Sequence, residues 1–108
     1  MVLQTSSTVA GQPIEYPLFR NQVTAFLVEI APGGQSGRHM HPAPMFLYVI
    51  EGELTYEVDG QPARLYKPGQ AFVEGVKVCH NAANRGNSPL KFLAVLHGEE
   101  GVPITIRP

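Results

Sequence analysis

Three histidines carry the chemistry that this chain offers. His39 and His41 are separated only by Met40, and His80 follows about forty residues later. On an extended strand, residues i and i+2 project from one face, so His39 and His41 can grip one ion from the same side. Neutral imidazole is the commonest metal ligand among side chains near neutral pH. A lone buried histidine is usually a hydrogen-bonded core residue, but a pair at i, i+2 with a third in reach points to a divalent transition metal. Zn, Fe, Ni and Cu suit imidazole, and Mn is also open. His97 stands at the end of an apolar run, where a surface or turn role is expected. Cys79 neighbours His80 and points to the opposite face of a strand; it reads as a small buried hydrophobe rather than a ligand or nucleophile.

The elements that must position these side chains read as β-strands. Apolar or alternating runs fall at Val23–Ile30, Met45–Ile50, Leu54–Val58, Ala63–Tyr66, Ala71–Glu74, Val78–Ala82 and Leu90–His97. Turn chemistry separates them: Pro32-Gly33-Gly34, Asp59-Gly60, read as a type I′ hairpin, and Lys67-Pro68-Gly69, ordered as a type II turn requires. No segment has a convincing helical period. Strands at this spacing, with 10 prolines and 11 glycines, predict an all-β sandwich or barrel. A length of 108 residues suits one domain. The polar, irregular residues 1–20 are expected to form an arm over residues 21–108 or over a partner subunit.

Composition excludes several classes of function. The formal net charge is −1 and no basic stripe is present, so nucleic acid is not an expected partner. No apolar run approaches the roughly 20 residues of a membrane-spanning helix. Met1–Gly11 lacks a basic stretch followed by an apolar one, so no secretory leader is expected there. The single cysteine leaves no intramolecular disulfide and fits a reducing compartment, hence a cytoplasmic protein.

Two stretches resemble the paired motifs of the cupin family. The first motif has Gly, five residues, His-x-His, three or four residues, Glu, six residues and Gly; Gly33, His39, His41 and Gly52 match it, with Met45 at the glutamate position. The second has Gly, five residues, Pro-x-Gly, two residues, His, three residues and Asn; Gly69, His80 and Asn84 match it, with Gly75 and Lys77 at the Pro and inner Gly positions. The resemblance spans Gly33 to Asn84, about half of the chain. It implies a double-stranded β-helix, a jelly-roll barrel of six to eight strands, with a divalent metal on His39, His41 and His80 in the barrel mouth. Dioxygenase, decarboxylase and isomerase activities occur in the family.

The missing glutamate leaves three readings. A three-histidine face can keep its remaining positions open to water and substrate, leaving the full ionic charge to attract a carboxylate or enolate. Alternatively Glu74, six residues before His80, supplies the ligand or acts as a general base beside the metal; the bland alternative is a solvated strand-end carboxylate. In the third reading, Met45 makes a drier pocket that holds a small molecule and no metal. Parity turns Met45, Leu47 and Val49 inward with the histidines, and Phe72 joins Met45 and Leu47 as expected pocket lining. The same parity turns Phe46, Tyr48 and Ile50 outward, where an apolar face calls for cover. A homodimer packed sheet against sheet is expected. The functional expectation is an enzyme acting on a small anionic or chelating substrate through the metal. The competing classes are a non-catalytic ligand-binding barrel and a structural barrel whose site has decayed.

Overall fold

A computed structural model describes residues 1–108. Seven strands follow in order: β1 Asn21–Ile30, β2 Met45–Glu51, β3 Leu54–Val58, β4 Arg64–Tyr66, β5 Ala71–Glu74, β6 His80–Ala83 and β7 Leu90–Glu99. They form two antiparallel sheets, one of four strands in the order β1-β7-β2-β5 and one of three in the order β4-β3-β6. There is no helix, so none is long and apolar enough to cross a membrane. Each expected strand is present. β1 starts two residues before the predicted Val23, β7 runs two beyond His97, and β6 begins at His80 rather than Val78.

Alternation decides which side chains meet between the sheets. In β2, Met45, Leu47 and Val49 are buried while Phe46 and Tyr48 are half-buried on the outer side. β7 alternates in the same way, with Leu90, Phe92, Ala94 and Leu96 inside. Leu54, Tyr56 and Val58 of β3 meet them from the facing sheet. Burying each large side chain here contributes roughly 1.5–3 kcal/mol. The stacked rings of Tyr66 and Phe72, 4.0 Å apart, close the core near the β4–β5 turn.

Turn chemistry matches the sequence at one hairpin and departs from it at another. Gln70 N–H donates to Lys67 O at 3.0 Å and Gly69 has φ +87°, so Lys67–Gln70 is the expected type II turn. At Asp59-Gly60 the expected type I′ turn is absent. Gln61 N–H donates to Val58 O, but only Gly60 takes a positive φ, of +77°. That is type II geometry. A type I′ turn joins strands directly, whereas β3 and β4 pair only from Tyr56↔Arg64 inward. The longer loop between them removes the demand for a primed turn.

The N-terminal arm lies on its own chain. Val9 N–H donates to Val73 O at 2.9 Å. The Gln12 side chain donates to Val76 O at 2.9 Å and accepts from Val76 N–H at 2.8 Å. The arm therefore fastens the loop between β5 and β6.

Candidate metal centre

His39 and His41 lie on a short extended segment before β2. Backbone alternation along it sets its neighbours. His39 exchanges two hydrogen bonds with His80, at 2.8 and 2.9 Å, and His41 O accepts from Lys77 N–H at 2.8 Å. Met40 faces the other way and exchanges two with Ile106, at 2.8 and 2.9 Å. The His-x-His segment thus bridges the His80 segment and the C-terminal residues. This brings the three imidazoles together: one ligand nitrogen from each lies within 4.8 Å of the others, and all three rings are buried.

Second partners fix how each ring points. Nδ1 of His39 meets Gly37 O at 2.7 Å, Nδ1 of His41 meets Ile104 O at 2.9 Å, and Nδ1 of His80 meets Val78 O at 3.1 Å. A carbonyl only accepts, so Nδ1 carries the proton in each ring, and in a neutral ring Nε2 presents a lone pair. Such outer partners are what metal-ligating histidines require.

The fourth group is Glu74. Its Oε2 lies 3.1 Å from His41 Nε2 and 3.0 Å from His80 Nε2, and its side chain is almost completely buried. Glu74 stands directly opposite Met45 in the β2–β5 register. A carboxylate thus stands at the position facing Met45 on the neighbouring strand.

The electrostatics call for a positive charge at the centre of this group. Glu74 Oε2 and His80 Nε2 are close but not aligned for a hydrogen bond, and neither has another partner. A buried carboxylate facing two nitrogen lone pairs is repulsive unless a proton or a cation lies among them. Burial by itself would raise the Glu74 carboxyl; the His41 and His80 imidazoles overcome it and hold it below its ordinary value. His41 feels burial pulling it down, but Glu74 wins and raises it. His39, whose dominant influence is burial, is lowered. Three imidazole nitrogens and one carboxylate oxygen suit a divalent transition metal. The residues fit the ion that the sequence pattern implied.

Beside the site lies a cavity of about 200 Å³, lined by His39, His41 and Glu74 and, among apolar side chains, by Phe26, Met45 and Phe92. Of the expected lining residues, Met45 faces this cavity. Leu47 and Phe72 pack into the core, 1% and 3% exposed. His97 is on the outer face against Tyr16, with ring centres 5.3 Å apart, and Cys79 is buried. Sequence reasoning missed Ile104, whose carbonyl orients His41; no motif marks a main-chain acceptor sixty-three residues away. It also missed Tyr56, whose buried hydroxyl lacks a partner and whose ring lies 5.2 Å from that of His80.

Residues 26–96 match the family model described as the cupin domain, and the chain belongs to that family. Its fold is the double-stranded β-helix. A cupin-like protein of Thermotoga maritima superposes with a TM-score of 0.68 at 25% identity, over 82% of this chain and 64% of that one. Oxalate decarboxylase of Lactobacillus farciminis, solved as a formate complex, gives a TM-score of 0.68 at 27% identity, over 78% of this chain and 26% of that one. The tetracenomycin polyketide synthase protein TcmJ of Streptomyces glaucescens is 39% identical over 66 residues, which are 59% of this chain and 43% of that protein. The chain therefore spans less than half the length of that curated relative.

Proposed function

We propose that this protein is a metal-dependent enzyme whose ion is held by His39, His41, His80 and Glu74, and whose substrate is a small chelating anion. The observation that carries this reading is the cluster of three buried imidazoles with the Glu74 carboxylate against two of them, where Glu74 Oε2 and His80 Nε2 have no hydrogen-bond partner. The bound ion would supply Lewis acidity toward two substrate oxygens. One carboxylate against a divalent ion leaves a net positive charge, so an anionic ligand remains favoured. Phe26, Met45 and Phe92 make the cavity wall apolar, which strengthens that attraction. The cavity, at about 200 Å³, falls below the range typical of drug-sized ligands. It suits a small molecule, or the reactive end of a longer one. An enolate of a 1,3-dicarbonyl compound meets these demands, and the similarity to a polyketide synthase protein supports that class.

The test uses protein purified without a nickel column. After incubation with Zn, Fe or Mn it is expected to hold about one equivalent of metal, and His41→Ala is expected to hold none while staying folded. Acetylacetone should then bind the loaded protein and not the metal-free one. Metal content that stays near zero would sink this reading. Binding without any conversion of the diketone would favour a ligand-binding barrel instead.

The assembly we propose is a homodimer in the cytoplasm, formed by the outer face of the four-stranded sheet. Val23 and Leu27 of β1 are 63% and 66% exposed and Ile50 of β2 is 44% exposed, beside half-buried Leu93 and Val95 of β7. The arm covers the end of this face around Phe46, Val73 and His97. Sedimentation at micromolar concentration should show a dimer; a monomer would reject this assembly.

A further inference from the structure

The three histidines do not depend on the fold in the same way. His39 and His80 each donate Nδ1–H to a carbonyl two residues earlier in the chain, Gly37 and Val78. Their ring orientation is set locally, by the same turns that deliver them. His41 has no such local acceptor. Its Nδ1–H goes to Ile104 O, sixty-three residues away.

That acceptor sits on a lightly held segment. Ile106 exchanges two backbone hydrogen bonds with Met40, and Arg107 donates from its guanidinium to Ser36 O at 3.3 Å. Ile104 packs on the core, but Thr105, Ile106 and Arg107 are exposed. Ile104 and Thr105 also form part of the cavity wall beside His39, His41 and Glu74. Few buried contacts and solvent-exposed backbone hydrogen bonds mark a segment that opens at low free-energy cost.

We propose that residues 104–107 are a positioning strap for the metal centre: the Met40–Ile106 pairing holds the Ile104 carbonyl against His41 and so fixes the ring that presents its Nε2. This inference rests on the metal-binding reading of the site. By linkage it must also work in reverse, because an ion that needs the strap closed must hold it closed.

Two measurements test it. In the wild-type protein, loading with zinc should slow amide exchange at Met40 and Ile106 relative to the metal-free form. In the second, Ile106→Pro removes the N–H that reaches Met40 O. Zinc affinity should fall about ten- to a hundredfold, the usual cost of losing an outer partner of a ligand. Nitrogen-15 spectra of metal-free Ile106→Pro should show His41 losing its single Nδ1–H tautomer while His39 and His80 keep theirs. Unchanged exchange at Met40 and Ile106 on loading would overturn the proposal, even if the proline variant failed to fold. So would wild-type zinc affinity in a folded Ile106→Pro. If the wild type takes no metal, the proposed function fails instead, and the metal-free His41 spectrum still decides whether the strap sets the ring.

Discussion

The two regions that carry the proposed ligands depart from the family pattern in opposite directions. Gly33–Gly52 keeps both bounding glycines and both histidines but has Met45 where a carboxylate is usual. Gly69–Asn84 has Gly75 and Lys77 where Pro and Gly are usual, yet it delivers the carboxylate, Glu74. The contrast separates two kinds of requirement. A ligand atom must reach a point in space, and either of two facing strand positions can reach it: Met45 and Glu74 are register partners, and directly opposed side chains start about 5 Å apart. Backbone requirements are tied to one residue. Gly52 has φ +78°, and a Cβ there would lie 2.3 Å from Pro89 O. Gly75 makes room instead for the arm, since a Cβ would come 2.9 Å from that of Ala10. A proline ring at this position would meet the arm head on.

The sharpest way to break the comparison is to move the carboxylate. Glu74→Gln keeps the shape and removes the charge. It should weaken zinc binding by more than the roughly hundredfold upper range for outer-partner losses, because a ligand atom itself is altered. The exchange Met45→Glu with Glu74→Met returns the carboxylate to the first region and should recover most of the affinity, read by competition with a chelator. If the exchange variant folds and binds no better than Glu74→Gln, strand position matters more than the facing register allows.

What was legible in the sequence follows the same division. Strand positions, the Lys67–Gln70 turn and the inward face of β2 could be read because each rests on local chemistry: a two-residue period, or Pro-Gly at the right places. The three histidines were legible from spacing. Glu74 was visible only as one of several readings, because its role depends on a cross-strand register that no local pattern encodes. Asn84 illustrates the limit further. It matches the motif but coordinates nothing: its side chain donates to Ile30 O and Ser88 O, at 2.9 and 2.8 Å, and accepts from Gly86 N–H. A motif position names a residue type without saying whether it serves the ion or the loop. The Asp59-Gly60 turn was misread because a dipeptide preference assumes strands that pair right up to the turn.

Backbone demands can be sharpened by comparing the two bounding glycines of the first region. Both have positive φ, +81° at Gly33 and +78° at Gly52, but a Cβ at Gly33 would meet nothing within 4 Å. Gly33→Ala carries only the left-handed conformational cost, about 1 kcal/mol. Gly52→Ala adds a collision with the backbone at Pro89 and Leu90 and should cost more than about 2 kcal/mol. Urea unfolding of the two variants checks the difference. Equal losses would mean that the β2–β3 turn shifts freely, and that the exacting character of Gly52 is wrong.

The smallest effect is expected at Lys77, where the second region tolerates what the first does not. Lys77 is exposed and holds φ +57°, a left-handed conformation at the position where the pattern has glycine. What the site takes from this residue is its N–H, which donates to His41 O at 2.8 Å. Any residue other than proline supplies that donor. Lys77→Gly relieves a left-handed strain of about 1 kcal/mol. It also adds unfolded-state freedom costing roughly 0.5–1 kcal/mol. The two nearly cancel, so stability should change by less than about 1 kcal/mol, with a gain if strain dominates. Zinc affinity should not move, because the N–H remains. A clear loss of affinity in Lys77→Gly would mean that the lysine side chain, and not only its backbone, supports the His41 segment. The two regions would then differ less in their backbone demands than the motif comparison implies.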